Sequence, residues 1–271
     1  MGGHWYAQDG TPVHWQPDGK DTTLRHARKQ GLVPGFSGVT SVLAKPGLDV
    51  WKENQILEAA FNMPVPIPER EDGDQYPAWK SEVKKLAAER GNKARNRGLE
   101  IHNAIEEYIK LGPHPDFPIE WEKYITVVEA EIKDAFTLSL RDLEAETTFA
   151  CGLGYGGMID GLARPTTVTG GFSGRTNGIL LDWKTKDTEF GDKTRLAYDD
   201  HGMQLAAYRY GIGIESAICA NVFISPSANV RIHVWDESEL VRLFDKFKAC
   251  LTLWQIDRKY NSAFREINHD H

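Results

Sequence analysis

Apolar residues recur at spacings of three and four through residues 79–111, where Ile101, Ile105, Tyr108 and Ile109 form one stripe. That period predicts a long helix, stopped by Gly112 and Pro113. The same period predicts a helix over 119–136, with Trp121, Ile125, Val128, Ile132 and Phe136 on one face. Past residue 145 the pattern shifts to alternation and short apolar runs. It predicts strands at 146–150, 155–163, 178–185, 217–224 and 230–235, with a helix at 204–210 and another from Asp236. Asp236 and Glu239 have the cap-to-N3 spacing of a capping box.

Upstream, Trp5-Tyr6-Ala7 and Val13-His14-Trp15 flank Asp9-Gly10, which reads as a hairpin. Pro17-Asp18-Gly19 is a second turn. Residues 37–43 read as a helix start broken at Pro46-Gly47, after which Asp49 caps a helix carrying Trp51, Ile56, Leu57 and Phe61. Pro64, Pro66, Pro68, Pro77 and their acidic neighbours make 63–77 a linker candidate. The order of helix, three strands, helix, two strands, helix is that of an α/β (α+β) domain. The expected division is 1–77, a hairpin and helical extension, and 78–271, the main domain.

Composition narrows the classes. The 271 residues are 41% hydrophobic and 26% charged, which fits a folded globular protein. No apolar run is long enough to cross a membrane, and the start lacks the layout of a signal peptide. Cys151, Cys219 and Cys250 are odd in number and widely spaced, so reduced thiols in the cytoplasm are expected. The net charge of −7 excludes a simple polycation that coats nucleic acid. It hides a contrast: Lys80, Lys84, Lys85, Arg90, Lys93, Arg95 and Arg97 against Glu82 and Glu89 give +5, leaving −12 elsewhere. This run reads either as a solvated helix face or as a surface that tracks phosphates. Trp5, Tyr6 and Trp15 could stack on bases or pack a small core.

The candidate chemistry lies on the strands. The apolar run Ile179-Leu180-Leu181 ends in Asp182-Trp183-Lys184, and residues two apart on a strand share a face. The pair reads either as an ion pair at a strand end or as a functional acid and amine. On the preceding strand, Gly156-Gly157-Met158-Ile159-Asp160 carries a second carboxylate, and the glycines admit a backbone or ligand close by. If these strands pair, Asp160 and Asp182 converge on one divalent cation, with Mg²⁺ or Mn²⁺ suited to oxygen donors. His102, at the edge of the helix stripe, could complete such a site, and Glu106 lies one turn on. Gln204 and Tyr208 share a face of their helix. Gly152, Gly154 and Gly157 spell G-x-G-x-x-G, but a strand follows them where a dinucleotide site needs a helix.

Taken in order, His102, Asp160, Asp182-Trp183-Lys184 and Gln204-x-x-x-Tyr208 resemble the PD-(D/E)XK nuclease superfamily, and within it the RecB-like exonuclease clade. The resemblance spans about residues 37–260 and includes Val39-Thr40-Ser41-Val42-Leu43, Trp51 and Arg97-Gly98. It implies a restriction-endonuclease-like core, a central mixed sheet flanked by helices, over 78–271. It implies a metal-dependent DNA exonuclease, of phage type, acting in replication, recombination or degradation. His102, Asp160, Asp182 and the Trp183 carbonyl would hold Mg²⁺ or Mn²⁺, and Lys184 would position or activate water. Gln204 and Tyr208 would support the site and touch the strand; Glu146 matches an acidic first-strand position, and Glu106 could serve a second metal.

Lys84, Lys85, Arg90, Lys93, Arg95 and Arg97 would bind DNA. Three scattered cysteines leave no place for the iron–sulfur cluster of some relatives. The Gly/Thr-rich loop 164–177 is longer than the resemblance leads one to expect. A recombination or single-strand-binding protein is a further expected partner; an oligomer is compatible, with no interface legible. An endonuclease or resolvase, and a non-catalytic DNA-end-binding protein, are the alternatives.

Overall fold

The structure is a computed structural model, and it describes residues 3–70, 73–114, 117–164 and 178–264, without the side chains of Arg90 and Ala94. The predicted loop thus lies, from 165 on, outside the described residues. The chain forms two compact units, Met1–Leu43 with Ile101–His271, and Ala44–Glu100. The expected boundary at 77 falls within α4 (Gln75–Leu111), which belongs to the smaller unit up to Glu100.

In the smaller unit, α3 (Pro46–Phe61) starts at the proline expected to end the preceding segment, three residues ahead of the expected cap. Proline suits the first helical turn because its missing N–H needs no partner there. Asp49, expected as the cap, sits in that first turn. Ala59, Val83 and Ala87 form the unit's small core.

In the larger unit, the predicted N-terminal hairpin is made. The Asp9-Gly10 turn forms, with Gly10 at φ 88° and the Thr11 N–H donating to Asp9 Oδ1 at 2.8 Å. A bridge joins Tyr6 to Pro12, with the Ala7 N–H donating to the Thr11 carbonyl and the Val13 N–H to the Trp5 carbonyl, each at 2.8 Å. In addition, β1 (Trp5–Tyr6) pairs antiparallel with β2 (Val33–Pro34), beyond α1 (Leu24–Gln30). The helix start expected at 37–43 is α2 (Phe36–Val39) and a 3₁₀ turn over Thr40–Val42.

The main sheet is a mixed one of five strands in the order β3-β4-β5-β6-β7. These are β3 (Glu144–Cys151), β4 (Tyr155–Ala163), β5 (Ile179–Thr185), β6 (Ile218–Ile224) and β7 (Val230–Val234). Only β5 and β6 run parallel, across α6 (Asp199–Gly211). Alternation on β5 divides the core. Ile179, Leu181 and Trp183 join Ile101, Ile105 and Ile109 of α4 and the apolar face of α5 (Ile119–Phe136). Leu180 turns the other way, into a core shared with α6 and α7 (Glu237–Arg258). Each fully buried Leu or Ile here contributes about 1.5–3 kcal/mol. No helix among the described residues is long and apolar enough to cross a membrane. The three cysteines are buried.

Asp236 takes the N-cap of α7 as expected, but its side chain makes no capping bond. The next residue ties the helix down differently: Glu237 accepts from Arg209 Nη1 and Nη2 at 2.6 and 2.8 Å. The Arg209 side chain is almost wholly buried, while Glu237 is largely exposed. Arg209's hydrogen bonds hold the Glu237 carboxyl below its usual value. Stability from this pair is therefore present at neutral pH and fades as the pH falls through the carboxylate range. Glu237→Gln is expected to melt lower than the parent at pH 7, the gap closing near pH 3. An equal gap at both pH values in thermal melts would refute the linkage.

The close approach predicted at the β4 glycines is made by rings of the chain itself. A Cβ on Gly157 would lie 2.5 Å from Tyr208 Cε1, and one on Gly156 would lie 2.9 Å from the Tyr6 ring. Tyr208 is itself held by Phe149 at 5.4 Å and Phe36 at 6.2 Å between ring centroids. Gly157→Ala should therefore destabilise the fold by roughly 1–3 kcal/mol, the usual cost of overpacking, measured by urea unfolding. A neutral effect would mean that the Tyr208 ring is free to move.

Candidate active site

Five elements of the larger unit supply the site. Pairing between β4 and β5 covers Ala163–Ile179, Leu162–Leu180 and Gly161–Leu181, and the next residues in register are Asp160 and Asp182. There the ladder stops. The Asp160 carboxylate replaces the missing backbone partner, with Oδ2 accepting the Trp183 N–H at 3.0 Å. Two acids thus meet where an antiparallel pair opens.

Asp182 is buried and saturated. Its Oδ1 accepts from Lys184 Nζ at 2.8 Å and Gln204 Nε2 at 3.0 Å. Its Oδ2 accepts from Asn221 Nδ2 at 2.6 Å. Gln204 Oε1 also takes a bond from Lys184 Nζ at 3.3 Å, so the amide and the ammonium hold each other in place. The Tyr155 hydroxyl donates to the Ala207 carbonyl at 2.7 Å, fixing α6 against β4.

Electrostatics follow from this crowding. Burial, with the neighbouring Asp182 charge, pushes the Asp160 carboxyl up from 3.8 to about 7, despite Lys184 and the Trp183 N–H. Burial disfavours the Lys184 charge, but Asp182 and Asp160 outweigh it and raise its pKa. His102 Nδ1 lies 3.8 Å from Asp160 Oδ2, too far for a hydrogen bond. Burial lowers the His102 pKa, against the pull of Asp182 and a bond to the Trp183 backbone.

His102, Asp160, Asp182, Trp183, Lys184 and Gln204 are therefore brought together. Tyr208 joins them from below, bonded to Gln204, but it is only 8% exposed. Its ring lies almost wholly inside the protein. Glu106 and Glu146 form an adjoining cluster. Lys110 pairs with Glu106 and lies 3.6 Å from Glu146. Burial, then Glu106, raises the Glu146 pKa. Glu146 has a left-handed φ of 52°, a strained conformation for a side chain of this size. The register that pairs Ala145 with Gly161 and Thr147 with Ile159 sets it opposite Asp160.

The basic candidates belong to the smaller unit. Lys84, Lys85, Lys93 and Arg95 are exposed and Arg97 is half-buried, while the Arg90 side chain lies outside the described residues. Of the aromatic candidates, Trp5 and Tyr6 are packed inside and Trp15 is 66% exposed.

Sequence reading missed Asn221. It is fully buried, donates to Asp182, and accepts the Trp235 indole N–H at 2.7 Å. The signal was a lone amide within the apolar run Ile218–Ile224, directly paired with Asp182 in the β5–β6 register.

Among the described residues, no group of three His, Cys, Asp or Glu side chains is arranged to hold a metal ion. The donor set nonetheless fits a hard cation in kind. It has two carboxylates, an imidazole and a backbone carbonyl, and burial, then the Asp182 charge, makes the Asp160 carboxyl costly to ionise without a cation beside it.

No family model and no curated protein matches the chain. Among solved structures it is similar to the crystal structure of SSO0001, at 16% identity over 77% of this chain and 86% of that one. The TM-score of 0.29 is too low to transfer fold or activity.

Proposed function

We propose that this chain is a metal-dependent DNA exonuclease with a PD-(D/E)XK core. The observation that carries the reading is Asp160 and Asp182 meeting at the open end of the β4–β5 ladder, with Lys184 bonded to Asp182. A paired acid and amine alone would be a common structural feature. The second, desolvated carboxylate with its raised pKa is costly to keep without a use.

His102, Asp160, Asp182 and the Trp183 carbonyl would hold Mg²⁺ or Mn²⁺. When bound, the ion would neutralise phosphate charge and lower the pKa of a water. The chain's own residues do the rest. Lys184 keeps its ammonium charged beside Asp182, ready to offset charge that grows on a phosphate oxygen. Gln204 fixes the direction of that ammonium. Tyr208, clamped between Phe149, Phe36 and Gly157, keeps the Gln204 end of α6 from shifting.

End-labelled linear and covalently closed circular DNA, each with Mg²⁺ or Mn²⁺, test the reading. Release of mononucleotides or short oligonucleotides from linear DNA alone is the expected result. Cutting of closed circles would make the protein an endonuclease or resolvase. Binding of ends without cleavage would make it an end-binding protein.

A further inference from the structure

The segment between β5 and α6 is not used by the site above, yet it is firmly held. Glu189 accepts the Ser227 N–H at 2.8 Å and the Ser227 hydroxyl at 2.7 Å. Arg231 donates to the Thr194 and Gly191 carbonyls at 3.0 and 2.6 Å. Phe190 and Leu196 are buried against Phe223. A polar surface loop with this many anchors is pre-organised, which lowers the entropic cost of binding.

What the anchors display is a row of cations and rings. Lys186 Nζ sits 5.1 Å from the Phe223 ring centroid, and the His201 ring lies 5.5 Å from the same ring. Tyr198 meets His201 edge-on at 5.9 Å, and the Arg195 guanidinium covers Tyr198 at 5.0 Å. Tyr198 is 48% exposed. Among the described residues, neither Lys186 nor Arg195 has a carboxylate within ion-pair distance; Asp187 acts on Lys186 only through its charge. Cation–ring contacts at exposed sites are worth only about 0.5–1 kcal/mol, so packing alone gives little reason for each cation to sit on a ring of this row. The row adjoins the acid–lysine site. The charges of Lys184, Lys186 and Asp182 all act on His201, whose pKa falls to about 4, chiefly through burial. His201 is thus neutral, and its Nδ1 accepts the Tyr198 N–H at 3.3 Å.

We infer that Lys186, Arg195 and Tyr198 form a subsite for a single nucleic-acid strand, phosphates at the two cations and a base against the Tyr198 ring. The inference rests on the nuclease reading, which it deepens by naming where the strand lies beside Lys184. Backbone cations with an exposed ring are the general means of holding single strands without sequence preference.

The test uses the full chain in EDTA with a fluorescein-labelled dodecathymidylate, read by anisotropy. Cleavage of linear DNA in Mg²⁺ and thermal melts are recorded in parallel. Tyr198→Ala should weaken binding about tenfold, the size of a lost base stack, while Tyr198→Phe binds like the parent. Lys186→Ala should flatten the salt dependence of binding by about 0.7 in log–log slope, as expected for one phosphate contact on a single strand. Lys186→Arg should restore it. If the parent binds and cleaves while Tyr198→Ala and Lys186→Ala, melting as the parent does, bind equally well, the subsite is wrong and the nuclease reading stands. If the parent neither binds nor cleaves, both fail. If Tyr198→Phe loses as much as Tyr198→Ala, the stacking role is overturned.

Discussion

Lys184→Ala should lower DNA hydrolysis by about 10²–10³ or more, the range for losing one preorganised charge aimed at the reacting group. The geometry separates this from a folding defect. Lys184 is one of three groups bonded to Asp182; Gln204 and Asn221 stay in place when it goes. The Lys184 stem is mostly covered, so Lys184→Met, which keeps the apolar bulk, is the sharper variant. It should melt below the parent, because the buried Asp182 loses its cation, yet still fold on the Gln204 and Asn221 bonds, bind linear DNA, and fail to cut it. Single-turnover cleavage with saturating Mg²⁺ reads the chemical step. An unchanged rate in either variant would remove Lys184 from the chemistry and reduce the Asp182 contact to a structural ion pair.

Asn221→Ala should have the largest effect on stability, a loss of about 2–5 kcal/mol. It leaves two buried groups without partners, Asp182 Oδ2 and the Trp235 indole N–H. Each such group costs roughly 1–3 kcal/mol, and the charged one sits at the upper end. Denaturant unfolding measures the loss. Hydrolysis should fall too, because Asp182 would turn toward whatever donor it can find. A loss under 1 kcal/mol would mean that water reaches Asp182 and that the site is less dry than the packing implies.

The parts of this fold that could be read in advance are those set by local patterns. The helix at 119–136 and the strand at 155–163 show their own periods, and their bounds match. Asp182 and Lys184 were visible because a charged pair at the end of Ile179-Leu180-Leu181 breaks a buried run. Asp160 opposite Asp182 was conditional on a strand pairing, which three backbone pairs now supply. What could not be read depended on distant partners. Trp5–Tyr6 was legible as half of a local hairpin, which forms, but its further pairing with Val33–Pro34 was not, because those residues lie beyond a helix. Pro46 reads as the stop of the segment before it, and it also opens the helix after it. Asn221 passed as an unremarkable amide until the parallel register set it beside Asp182. Tyr208 was legible as a neighbour of Gln204 and as a core ring, but not its seat against Gly157, because that glycine lies on another strand.

The Tyr260 hydroxyl bonds to the Leu32 and Ala27 carbonyls at 2.7 and 3.2 Å, and Trp254 packs with Trp5, Ala27 and Leu32. These contacts join segments separated by 228 and 233 residues. A ribosome makes the chain in one direction, so the early segment emerges long before α7 exists to receive it. Its Trp5 and Leu32 side chains lack their Trp254 and Tyr260 partners until those residues have been made. The same early segment carries Phe36, which braces Tyr208. The order of manufacture therefore sets the order of competence: the brace beneath Gln204 is secured only after α7 is made, and a nascent chain halted before residue 254 would carry its acids and lysine on an unfastened support.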